Sequence, residues 1–95
     1  MKFKLTDNKM QHYNRTLYQI EALKDFKDVR KGDLGGWIEN ENNLSQDGNA
    51  WVYDNAKVFD NARVSGNACV YDNAMIWDNA CVYDNAMIYG DAKVC

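Results

Sequence analysis

The chain holds 95 residues with a formal charge of −3 and a pI near 4.9, enough for one domain whose core is only just sufficient to fold alone. The acidic balance argues against direct nucleic-acid binding, which needs a basic stripe to displace counterions, and suits a protein partner instead. No apolar run approaches the roughly 20 residues of a membrane span, so no membrane association is expected.

Residues 1–30 read as an N-terminal β cap. Phe3 and Leu5 alternate with Lys2 and Lys4, and Tyr18, Ile20 and Ala22 alternate with Gln19 and Glu21. That is strand periodicity on both sides of a polar break, Asp7 to Arg15, so a β-hairpin or two edge strands are predicted. A helix over Leu17 to Asp28 is the alternative. The only histidine, His12, falls in the break with no partner carboxylate in view and reads as a solvated loop residue. Further on, Lys24, Lys27, Arg30 and Lys31 could meet phosphates, but Asp25, Asp28 and Asp33 between them make a solvated, mixed-charge loop the better reading.

Next comes the stretch Gly32-Asp33-Leu34-Gly35-Gly36-Trp37-Ile38-Glu39. The paired glycines permit turns that a Cβ would forbid. They do not make a phosphate loop, because no helix with Lys and Ser/Thr at the required spacing follows. Counting back in sixes from Ala50 lands on Leu44, Ile38 and Gly32, which places an irregular start of the following repeat here.

From Asn49 the chain repeats one six-residue unit: NAWVYD, NAKVFD, NARVSG, NACVYD, NAMIWD, NACVYD, NAMIYG and a shortened DAKVC. Ala in the second place and Val or Ile in the fourth share one pleat face and point inward, while Asp-Asn or Gly-Asn pairs turn a corner every six residues. Helix is excluded, because a period of six keeps no single face of a 3.6-residue turn. Three hexads close a triangular coil of 18 residues, giving a parallel β-helix over residues 31–95. A lone coil cannot offset the entropy of ordering its backbone, so the coils must stack and the cap must cover the first one.

Stacking at this period sorts the outward side chains into three faces. Face one carries Trp51, Tyr53, Cys69, Tyr71, Met87 and Tyr89, with no charge on its strands; face two carries Lys57, Phe59, Met75, Trp77, Lys93 and Cys95; face three carries Arg63, Ser65, Cys81 and Tyr83. An uncharged aromatic strip marks a protein interface, so Trp51, Tyr53, Cys69, Tyr71, Met87 and Tyr89, with Phe59 and Trp77 on the next face, are the expected contact residues. The chain stops in mid-coil at Cys95, which predicts a homodimer formed end to end or through the aromatic face. The aspartate columns read as corners rather than Ca²⁺ sites, and no metal or cofactor is expected. Cys69 and Cys81 lie on different faces, and no secretory leader pattern precedes the odd set of three cysteines, so reduced thiols in a cytoplasm are predicted.

The Leu17-Tyr18, Ile20 and Ala22-Leu23 opening, the GDLGGWIE stretch and the NA-x-V-Y-D tail together resemble a family of short phage and prophage hexapeptide-repeat proteins. The branched-then-small spacing resembles left-handed β-helix hexapeptides, and the resemblance implies a left-handed parallel β-helix in a bacterial host cell. Small phage proteins without enzymatic signatures often inhibit host defence by binding an effector, so a non-enzymatic interaction protein is expected, its partner a host defence complex such as a CRISPR effector. A sponge for an immune nucleotide signal is one alternative. Another is a minimal acyltransferase: such enzymes resemble this tail in fold, generally use a His as base and bind acyl-CoA between neighbouring helices. An ice-binding surface is excluded, since the only threonines, Thr6 and Thr16, lie outside the repeats.

Overall fold

The computed structural model describes all residues, Met1–Cys95. Each hexad forms a strand of two residues followed by a corner: β4 (Trp51–Val52), β5 (Lys57–Val58), β6 (Arg63–Val64), β7 (Cys69–Val70), β8 (Met75–Ile76), β9 (Cys81–Val82), β10 (Met87–Ile88) and β11 (Lys93–Val94). The strands stack in parallel on three faces, β4-β7-β10, β5-β8-β11 and β6-β9, with Trp51 over Cys69 and Met87. This is the expected three-sided parallel β-solenoid of about three coils. Val52, Val58, Val64, Val70 and Ile76 alternate with Ala50, Ala56, Ala62, Ala68 and Ala74 in a fully buried interior. The valines fill the faces and the alanines leave room for the corners.

The corners are left-handed in backbone. Asp54, Asp60, Asp72, Asp78 and Asp84 have φ of 56–61°, and Gly48, Gly66 and Gly90 occupy the same place. Asp bears this conformation at low cost because its carboxylate bonds nearby amides. Here the bond runs between coils: Asp60 accepts from the Asp78 amide at 3.2 Å and Asp72 from the Gly90 amide at 3.0 Å. The aspartate columns are therefore structural ladders, and no group of three or more His, Cys, Asp or Glu side chains converges on one point.

The cap is a hairpin continuous with one solenoid face. β1 (Phe3–His12) pairs antiparallel with β2 (Arg15–Ala22), β2 pairs with β3 (Leu34–Ile38), and β3 runs parallel to β5, giving the order β1-β2-β3-β5-β8-β11. Two sequence expectations change here. The polar stretch after Asp7 is not a break but strand, turning only at Tyr13-Asn14, because Lys9 to His12 pair with Arg15 to Tyr18 of β2, which satisfies their backbone. Leu17 to Ala22 is strand, not helix, since pairing on both sides satisfies its backbone.

The glycine pair also has another purpose than a turn. Gly35 and Gly36 lie within β3 and neither has positive φ. A Cβ on Gly36 would stand 2.6 Å from Val52 Cγ1 and 2.7 Å from the Ala56 carbonyl oxygen, so β3 needs bare backbone to pass under the next coil.

The first coil is two residues longer than the others. Ile38 sits over Val58 and Leu44 over Val64, in the valine column rather than the alanine column that counting in sixes gives. The extra pair is Gln46-Asp47, and it clasps the N-terminus. Gln46 Oε1 accepts from the amides of Lys2 (2.7 Å) and Phe3 (3.2 Å), and its Nε2 donates to the Phe3 carbonyl. Asn43 ends a single 3₁₀ turn, Glu41–Asn43, and its buried amide side chain donates to the carbonyls of Asp60 and Ala62 while accepting from the Glu39 and Asn40 amides.

Lys2 is fully buried beside this clasp, donating to the Ala50 carbonyl at 2.7 Å with its ammonium 5.4 Å from the Phe26 ring centroid. Burial, then repulsion from Lys24, lowers its pKa to about 8, with Asp47 opposing. The unfolded chain holds that proton up to about pH 10.4, so in the window between the two values it binds more protons than the fold. Stability therefore rises with pH from about 8 upward. Urea denaturation at pH 7.5 and 9.5 checks this: the rise should be present in the wild type and absent in Lys2→Met. No helix is long and apolar enough to cross a membrane.

Candidate functional site at the hairpin tip

β1 ends where the hairpin leans over face two of the solenoid, and the angle between them is a concave corner of about 290 Å³ lined by His12, Tyr13, Phe59, Met75, Trp77 and Lys93. Arg15 fixes the tip: its guanidinium meets Glu39 at 3.0 Å and pairs with Asp60, while Glu39 accepts from the Asp60 amide at 2.9 Å. The hairpin is thus tied by charge to the corner that ends β5.

His12 is not a solvated loop residue. Its ring lies edge-on to Phe59 (centroids 5.1 Å) and to Tyr13 (4.7 Å), and its Nε2 is enclosed without a hydrogen-bond partner. Burial, then the nearby Lys57 ammonium, holds its pKa below the ordinary histidine value. The imidazole is accordingly neutral at pH 7, as a proton acceptor must be. Phe59 and Trp77 stack with rings 6.1 Å apart and 8° from parallel. Tyr13 takes a left-handed backbone, φ 56°, and is 87% exposed, with its ring edge-on to His12. Sequence reading took His12 for a solvated loop residue and passed over Tyr13; Met10 and His12 repeat at strand spacing and are both partly buried.

The expected interface residues divide. Tyr71 stacks on Tyr89 (5.6 Å, 15°) and meets Tyr53 edge-on, with Met87 and Tyr89 well exposed, so face one does present an aromatic column. Trp51 does not belong to it. It is buried against Phe3 and Phe26, because the cap folds over the first coil, and no partner can reach it. Phe59 is likewise covered, by the hairpin tip, whereas Trp77 keeps part of its surface.

At the upper end of face one the turn Lys27-Asp28 stands over the strip. Asp28 accepts from the Tyr53 hydroxyl at 2.9 Å, and Lys27 Nζ lies 3.1 Å from Cys69 Sγ. Burial and the Asp28 contact push the Tyr53 pKa upward. With Phe26 and Val29 buried on either side, this segment is pinned to the core rather than being a free charged loop. Cys69, Cys81 and Cys95 are all free thiols.

No family model matches the chain. Over 41 residues it is 54% identical to a protein of Escherichia coli (strain K12) named Uncharacterized acetyltransferase YdcK; the match covers 43% of this chain and 13% of that protein. Repeat, solenoid and match agree on a hexapeptide-repeat protein. The expectation of a non-enzymatic chain is corrected by this finding, because the relative is named for an enzymatic activity. His12, read from the sequence as a solvated loop residue, is instead packed by its strand into a corner that no local pattern of charges announced.

Proposed function

We propose that this chain takes part in acyl transfer, either by itself or as a segment of a larger solenoid protein. The observation that carries the reading is the 54% identity to a protein named an acetyltransferase. The corner at the hairpin tip supplies a chemistry that suits it. An acceptor amine or hydroxyl attacks the carbonyl carbon of an acyl thioester, the His12 imidazole takes the acceptor's proton, the C–S bond breaks, and the imidazolium returns the proton to the leaving thiolate. Trp77 and Met75 offer an apolar shelf on which the acyl group can lie away from water. The test is release of free thiol from acetyl-CoA by the purified chain, with a panel of primary amines and alcohols as acceptors. Acceptor-dependent release supports the reading; release no faster than buffer alone with every acceptor overturns it. Because the base must be neutral and burial favours neutral His12, the rate should climb with pH, pass its half-maximum below the ordinary histidine value and then level off.

The phage-encoded, defence-inhibiting role draws no support from the fold, and acyl transfer takes its place. The aromatic column of face one supports a second reading, that Tyr71, Met87 and Tyr89 join copies of this chain, since exposed Tyr and Met bring much contact area at low entropy cost. Tyr71→Arg is expected to convert the self-associated species to a monomer in light scattering. Unchanged mass in the variant, or a monomeric wild type, would remove this reading.

A further inference from the structure

The corner beside His12 has an unusual charge for this molecule. The chain is acidic overall, yet no acidic residue lines this groove and Lys93 does. Lys57 stands two coils from Lys93 in the same outward column, separated by Met75, and its field is felt at His12. Neither lysine has an acidic partner. Both ion pairs of the protein belong to Arg15, and the Lys57 ammonium donates only to the Asn55 carbonyl at 3.0 Å. Beside this column stand the parallel rings of Phe59 and Trp77, and against Phe59 lies the imidazole of His12, its Nε2 enclosed and unpartnered.

A buried polar nitrogen without a partner costs free energy that a ligand can recover. Tyr13 is the element able to yield it, because Phe59 is held on both sides while Tyr13 is exposed and strained at positive φ. A ligand that enters meets the Lys93 side chain, an imidazole and a flat apolar shelf together, with the Lys57 charge close by. Its size is bounded by the 290 Å³ of the corner, at the low end of the roughly 300–1,000 Å³ usual for small-molecule sites.

We infer that the corner binds a small planar aromatic anion, its ring against Trp77 and Met75 and its anionic oxygens between Lys93 and His12, with Tyr13 turning aside to admit it. This goes beyond acyl transfer: it names the class of molecule that the corner holds, and it stands or falls on binding alone. An anion there stabilises the imidazolium, so bound ligand raises the His12 pKa, the reverse of the effect that Lys57 has on it now. Lys57, Lys93 and the bound anion are the charges facing the ring, with Arg15, Glu39 and Asp60 paired among themselves nearby.

With a single histidine in the chain, the ring-proton NMR titration of His12 reads the site without ambiguity. The probe is 2-naphthoate, and 2-naphthamide is its neutral control. Saturating naphthoate is expected to move the His12 titration upward by roughly one pH unit, the amide to leave it in place, and the exposed-site change Lys93→Gln to weaken naphthoate binding at least several-fold. Tyr13→Gly, which relieves the left-handed strain, is expected to tighten binding and speed exchange of the His12 signal. Equal response to acid and amide, no response to either, or an unaltered affinity in Lys93→Gln would each overturn the inference. Naphthoate binding in a protein that transfers no acyl group leaves this inference standing and removes the acyl-transfer reading. Transfer without naphthoate binding does the opposite.

Discussion

Gly36→Ala is expected to destabilise the fold by about 2–3 kcal/mol, the upper part of the range for overpacking a tight site. One methyl group would stand at 2.6 Å from Val52 Cγ1, 2.7 Å from the Ala56 oxygen and 3.1 Å from the Tyr53 oxygen. Two of these three neighbours are backbone atoms, and the Ala56 oxygen already accepts from the Trp37 amide at 3.0 Å, so the strand cannot retreat without breaking the ladder that joins cap to solenoid. Gly90→Asp is the informative contrast. Gly90 has φ of 65°, a Cβ added there would meet nothing within 4 Å, and its column already carries Asp54 and Asp72 in the same conformation. That change should fall within roughly 0.5 kcal/mol of the wild type. Urea unfolding of the two variants separates the causes: equal midpoints would show that close approach of β3 is not what the glycine serves.

Asn43→Ala should cost a similar amount, about 2–3 kcal/mol, by leaving buried polar groups without partners. Elsewhere in the solenoid a carbonyl at the Ala62 position accepts from a backbone amide of the coil before it, as Ala56 does from Trp37 and Ala68 from Trp51. The first coil has its 3₁₀ turn at this point, and Asn43 Nδ2 replaces the missing amide at 2.9 Å. Its Oδ1 meanwhile holds the Glu39 and Asn40 amides at 3.0 and 2.9 Å. Asn43→Asp keeps the shape but loses both donors and buries a charge, so it should be at least as damaging. Asn42→Ala, one residue away and exposed, should be silent. Thermal unfolding of the three variants tests the order; a stable Asn43→Ala would mean that the cap, not this side chain, closes the first coil.

These two residues also show where sequence reading succeeds and where it stops. The hexads are legible because the same physics recurs at every unit: Ala and Val alternate inward, and Asp takes the left-handed corner. Residues that act once leave no such pattern. Gln46-Asp47 breaks the count by two, and its clasp on Lys2 and Phe3 depends on a contact across more than forty residues. Trp51 carries the same position in its hexad as Cys69 and Met87, yet it is buried, because what covers it belongs to the cap and not to the repeat. His12 is the same case with the opposite sign. Its polar neighbours Gln11 and Asn14 describe a loop, whereas pairing of β1 with β2 makes it strand and sets its ring on Phe59.

The acyl-transfer proposal makes His12 the base, and a comparison of acyl-transfer rates tests it most directly. Wild type and His12→Gln are assayed for acceptor-dependent thiol release from acetyl-CoA at pH 7.5, with unfolding midpoints measured alongside. A side chain that takes the acceptor's proton contributes typically 10²–10⁴-fold. The predicted result is a loss of roughly that size with the unfolding midpoint little changed. A glutamine variant that transfers as fast as the wild type would contradict the assignment of the site.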